Sequence, residues 1–184
     1  MSADRHFTRS TWHTTMPSAL GELTLVRDDE GLRGLYFPHH WYLPDTATFG
    51  PSSERGFTDA VIQLGQYLGG VRREFDLALS PRGDAFQRQA WEHVAQIRYG
   101  QTVTYGELAV RIGGGVTAQQ VGAAIGRNPL CILIPCHRVV GRGGKLTGYV
   151  GGISRKRHLL ELEAAQTART DRTPLQQTLM PGSW

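Results

Sequence analysis

Chemistry in this chain is offered first by Pro135, Cys136, His137 and Arg138, a thiol set between a proline and two basic residues. A thiol attacks as thiolate, so a reactive cysteine needs neighbours that stabilise negative charge or accept its proton. His137 and Arg138 stand beside it in the chain. Cys131, within the apolar run Leu130 to Ile134, reads instead as a buried structural thiol. A bridge between the two would close only a tiny loop, and two thiols are too few for a disulfide scaffold, which fits a reducing compartment. A zinc site from Cys131, Cys136 and His137 is a weak reading, because adjacent Cys-His does not match zinc spacing and a fourth ligand is missing. Gly141 to Lys145 lacks the Walker spacing and the following Ser or Thr, so it is not a phosphate loop. Neither a metal nor a cofactor is expected.

One carboxylate matters as well. On a final helix expected from about Ser154 to Ala165, Glu163 lies four and three residues from Leu159 and Leu160 and shares their inward face. It needs a partner there. An arginine is the commoner one; a histidine oriented toward a nucleophile is the other.

Stepping outward, these residues must be held by a regular framework. Leu23 and Leu25 alternate with polar residues, and a turn at Asp28 to Gly31 leads to Leu32, Leu35 and Phe37, which predicts a hairpin. Phe57, Val61, Leu64 and Leu68 recur at helical spacing up to Gly69 and Gly70, and Phe75, Leu77 and Leu79 then alternate as in a strand. A loop is expected between Tyr42 and Arg55. Residues 1–80 thus read as a small α/β unit, and Pro81 to Gly83 as a linker.

In residues 81–166, Asp84 with Gln87 opens a helix whose apolar face is Phe86, Ala90, Trp91, Val94 and Ile97, ended by Gly100. Two more capping pairs follow, Thr104 with Glu107 and Thr117 with Gln120, separated by Gly113, Gly114 and Gly115. Two short helices joined by a tight turn are the helix-turn-helix pattern. On the second, Val121, Ala124 and Ile125 face inward, leaving Ala118, Gln119, Gly122 and Ala123 outward. Small outward residues let a helix approach a surface closely, but the shape also occurs without DNA, so the pattern alone leaves the partner open. Leu130 to Ile134 suits a buried strand stopped by Pro135. Residues 167–184, rich in Thr, Gln and Pro, are expected to be a disordered tail.

Composition agrees with a soluble globular protein: 184 residues, 40% hydrophobic, 20% charged. Met1 precedes Ser2, Ala3, Asp4 and Arg5 rather than an apolar run, and no segment is long enough to span a bilayer, so a cytoplasmic protein without membrane contact is expected. Residues 84–166 hold ten Arg and Lys against five Asp and Glu, while the rest hold ten against eleven. That asymmetry suits nucleic acid, or a merely solvated basic surface.

At Ile134 to Val140, reading IPCHRVV, the chain resembles the O6-alkylguanine-DNA alkyltransferases, the methylated-DNA–protein-cysteine methyltransferase family. Tyr105, Asn128-Pro129, Tyr149 with Gly151-Gly152, and Glu163 keep the family order. The resemblance spans roughly residues 10–165, strongly from 84 onward. It implies an α+β fold, with a small N-terminal ribonuclease-H-like α/β domain and a mostly helical C-terminal domain carrying the helix-turn-helix and the cysteine. It further implies a monomer that binds double-stranded DNA with its second helix in the minor groove and flips out O6-alkylguanine, with O4-alkylthymine as a secondary candidate. By the same resemblance Cys136 is the nucleophile, His137 its base through a water, and Glu163 the orienter of His137. Tyr105 turns the nucleotide and protonates the leaving guanine, and Asn128 braces the cysteine segment. Val139, Tyr149 and Val150 line the base pocket with Ile125 beside the flipped base, and Ala118, Gln119, Gly122 and Tyr105 meet DNA.

Two departures stand out. Where the family has an arginine that fills the gap left by the flipped base, this chain has Gln119, and where it has Asn or Met this chain has Ile125. Gln119 is the motive for the alternatives: a cysteine alkyl acceptor for a non-duplex substrate, or a lesion-binding protein with weak repair. Alkyltransferase-like proteins that bind lesions without repair lack the cysteine, and a transcription factor would not explain Glu163 or the Cys-His pair.

Overall fold

The structure, a computed structural model, describes residues 10–171. Strands β1 (Trp12–Met16), β2 (Leu23–Arg27) and β3 (Leu32–Tyr36) form an antiparallel sheet in that order, with Leu25 opposite Leu35. The expected hairpin is β2–β3. Its turn is set by Asp28, whose buried Oδ1 accepts from the backbone N–H of Glu30 and Gly31. Helix α1 (Thr58–Leu68) covers the sheet with Ala60, Leu64 and Tyr67.

Phe75 to Leu79 is not a strand, since only Leu79 bridges, to Leu32. Phe75 and Leu77 instead pack part-buried on the core. Alternation there reports one-sided burial, which a segment satisfies without a hydrogen-bonded ladder.

Helix α2 (Ala85–Ala95), strand β4 (Val103–Thr104), helix α3 (Tyr105–Ile112) and helix α4 (Ala118–Ile125) follow. All three expected capping boxes are formed, at Asp84, Thr104 and Thr117. Gly113, Gly114 and Gly115 all have positive φ, which makes the abrupt turn between α3 and α4 possible without strain. Helix α2 stops at Ala95, short of Gly100, while Ile97 beyond it remains buried.

Leu130 to Ile134 is a tight turn rather than a strand. Ile132 takes φ 72° and the Ile134 N–H donates to the Leu130 carbonyl at 2.8 Å. An unbroken apolar run shows burial but has no period, so it cannot tell strand from buried turn. After a 3-10 turn at Cys136–Arg138, strand β5 (Val139–Val140) pairs parallel with β4. Helix α5 runs from Ile153 to Asp171, past the expected end near Ala165, so residues 167–171 are helical rather than tail. The remainder of the expected disordered tail lies outside the described residues.

Both halves share one buried cluster, from Leu25 and Tyr67 to Trp91, Val121 and Leu159. Among the described residues no helix is long and apolar enough to cross a membrane.

Candidate active site

Local structure brings the pieces together in three steps. Parallel pairing of β4 with β5, Val103 beside Val139, ties the segment that carries Cys136 to the strand that leads into α3, and Tyr105 and Cys136 line one cavity. Asn128, buried, donates from Nδ2 to the Ile134 carbonyl at 2.9 Å and accepts from the Leu130 N–H at 3.0 Å, clamping the turn that carries Cys136. Helix α5 then lays Glu163 under His137 and Arg138.

Glu163 is fully buried and has both of the partners left open by its sequence. His137 Nε2 lies 2.9 Å from Oε1, and Arg138 donates from Nε and Nη2 at 2.9 to 3.1 Å. Tyr67 of α1 donates its hydroxyl at 2.5 Å, and the Gly100 N–H donates at 2.9 Å. Burial alone would raise the carboxyl pKa, but the hydrogen bonds from His137 and Arg138 and the Arg138 charge outweigh it and hold Glu163 at about 2. It is therefore an acceptor only, so His137 Nε2 carries the proton. Burial lowers the His137 pKa and keeps the ring neutral, and its Nδ1 has no hydrogen-bond partner among the described residues. That lone pair can take a proton.

Cys136 is a free, buried thiol at the base of a cavity of about 270 Å³. Its walls include Tyr105, Ile125, Tyr149 and Val150, together with Gly122. The thiol sits below its usual pKa: the Cys131 contact lowers it most, burial opposes, and Asn128 and the Lys156 charge lower it further. Tyr105 is held above its usual pKa, chiefly by burial and also by the Cys136 charge, so it remains a proton donor.

A second, more open groove of about 750 Å³ runs along the outer face of α4, lined by Ala118, Gln119, Gly122 and Arg142. Tyr105 and Gly122 line both spaces and so stand between them. Val139 departs from expectation. Its pairing with Val103 buries its side chain completely, its carbonyl accepts from Lys156 Nζ at 2.6 Å, and it does not line the cavity.

Sequence reasoning missed Tyr67, Lys156, Trp41 and Tyr42. Lys156 is buried, donates to the Val139 and Thr147 carbonyls, and is lowered to about 8 by burial despite the opposing Cys136 charge. Its signal was present: Lys156, Leu159, Leu160 and Glu163 repeat at helical spacing on one face. Trp41 and Tyr42 wall the cavity from the N-terminal half, with the Trp41 N–H donating to the Val150 carbonyl at 3.0 Å. Three consecutive apolar residues, Trp41 to Leu43, in an otherwise polar loop were the available hint. Tyr67 carried none.

Fold and site together define a small α+β protein whose shielded thiol faces a cavity that opens beside a two-helix surface. This chain belongs to the 6-O-methylguanine DNA methyltransferase family: residues 12–81 match its ribonuclease-like domain and residues 85–165 its DNA binding domain. It is 46% identical over 151 residues to the methylated-DNA–protein-cysteine methyltransferase of Mycolicibacterium paratuberculosis, covering 82% of this chain and 91% of that one. The Methanosarcina acetivorans protein of the same name is 38% identical over 154 residues, covering 84% and 99%. A crystal structure of Mycobacterium tuberculosis OGT in complex with DNA matches with a TM-score of 0.78 at 43% identity, over 84% of this chain and 93% of that one.

Proposed function

We propose that the protein repairs DNA directly, moving the alkyl group of an O6-alkylguanine onto Cys136, once per molecule. The observation that carries this is a thiol of lowered pKa lining a cavity that only Tyr105 and Gly122, among its lining residues, share with the groove along α4. Duplex DNA would lie along Ala118, Gln119 and Gly122, and the extruded guanine would enter between Tyr105, Ile125 and the Tyr149–Val150 segment. His137, held by Glu163, takes the thiol proton through a water. The thiolate then attacks the alkyl carbon: the Sγ–C bond forms, the C–O6 bond breaks, and its electron pair passes to the guanine, which takes a proton from Tyr105. The product is a thioether.

This reading takes a cytoplasmic monomer, with residues 1–80 as the N-terminal domain and 81–166 as the acceptor domain. Mass spectrometry after mixing with an O6-methylguanine duplex tests it. One methyl group on Cys136 and none on Cys131 is expected; methyl on Cys131, or several turnovers per molecule, refutes it. Gln119 favours a second reading, an acceptor for non-duplex substrates, which the same experiment with single strands and free O6-benzylguanine separates.

A further inference from the structure

Cys131 takes no part in that scheme, yet its Sγ lies 4.0 Å from the Cys136 Sγ, fully buried, with neither sulfur in a disulfide. In the resting thiol pair the bonds run one way. Cys136 donates to Cys131, and Cys131 donates to the Asn128 carbonyl at 3.8 Å. When Cys136 loses its proton it becomes a charged acceptor next to a thiol whose hydrogen is free to rotate.

We propose that Cys131 is the donor that holds the Cys136 thiolate, its S–H swinging from the Asn128 carbonyl to the charged sulfur 4.0 Å away. The proposal rests on Cys136 being the alkyl acceptor. An S–H group is a weak donor in water, but in a buried site a bond to an ion is strengthened. The proton bookkeeping is consistent as well: burial, and then Cys136 itself, push the Cys131 thiol well above its usual pKa, so it stays protonated when Cys136 ionises. Other groups facing the Cys136 sulfur are adjacent His137, Tyr105 of α3, Tyr149 of the following loop and Lys156 of α5. Burial is the leading reason that both phenols sit above their usual values, so neither competes as an anion. Cys131, wholly shielded, is a helper and not a second acceptor.

The test follows iodoacetamide alkylation of Cys136 against pH in the full chain, located by peptide mass spectrometry, for wild type, Cys131→Ala, Cys131→Val and Cys131→Ser. Alanine removes the donor; valine does so while keeping bulk, should alanine fail to fold. Both are expected to raise the midpoint of the pH profile by about one unit, about tenfold slower at neutral pH, with the high-pH plateau unchanged. Serine, which keeps a donor, is expected to restore the midpoint. An unchanged midpoint in the folded alanine or valine variant, or a serine variant no better than alanine, overturns the proposal. Wild-type transfer from O6-benzylguanine is measured in parallel, and its absence would count against the alkyl-transfer reading alone, because iodoacetamide needs no guanine site.

Discussion

Replacing Glu163 by glutamine removes one charge and creates two problems at once. Five donor groups converge on this carboxylate: His137 Nε2, Arg138 Nε and Nη2, the Tyr67 hydroxyl and the Gly100 N–H. An amide keeps one acceptor oxygen but turns an NH2 toward other donors, and it leaves the nearly buried Arg138 guanidinium without its counter-ion. Leaving such a charge unpaired costs about 3 to 5 kcal/mol. The pH linkage gives a similar figure: a carboxyl at about 2 rather than its ordinary 4.5 contributes roughly 3 kcal/mol at neutral pH. Against a total stability of about 5 to 15 kcal/mol, Glu163→Gln is expected to fold but to melt much earlier. The sign with pH follows from the depressed pKa. Wild-type stability is complete above pH 4.5 and falls as pH drops toward 2, whereas the glutamine variant loses less over that interval. Urea unfolding at pH 7 and pH 3, beside single-turnover transfer from O6-benzylguanine, measures both. Adding Arg138→Met should return much of the stability, since the stranded charge is gone, but not the rate. Wild-type stability together with a wild-type rate in the single variant would refute the reasoning.

Cys136→Ser is expected to abolish transfer while DNA binding persists, because a hydroxyl keeps the shape but supplies no thiolate at neutral pH; gel shift and mass spectrometry check the two halves. Tyr67→Phe removes one bond to the carboxylate, and should cost about 1 to 3 kcal/mol in denaturant titration and slow transfer in stopped assays. Gln119→Arg should raise affinity for duplex DNA and speed repair of a duplex lesion with little effect on free O6-benzylguanine, because a longer, charged side chain better fills the gap left by an extruded base. Unchanged or slower duplex repair would remove Gln119 from the extrusion step.

The site was legible where the chemistry is local. Cys136 declared itself by its neighbours, and Glu163 by sharing a helical face with Leu159 and Leu160. Lys156 obeys the same periodicity one turn and more earlier, and was missed because a lysine is usually solvated. Val139 lies in a motif that suggests a pocket wall, yet its pairing with Val103 turns it into core. The PCHRV motif carried the family, which residues 12–81 and 85–165 bear out over both halves.

What the sequence determined by itself is what is settled within about one turn of chain. Capping boxes at Asp84, Thr104 and Thr117, and the left-handed glycines at 113–115, act between residues three or four apart, so their types dictate the helix starts and the abrupt turn. The tertiary structure alone decided which polar groups meet where water is excluded. Tyr67 and Glu163 are 96 residues apart, and Tyr105 and Cys136, on separate elements, come to line one cavity only in the folded chain. No local preference distinguishes such partners, since their attraction becomes strong only after packing has removed the solvent that would otherwise satisfy each of them separately.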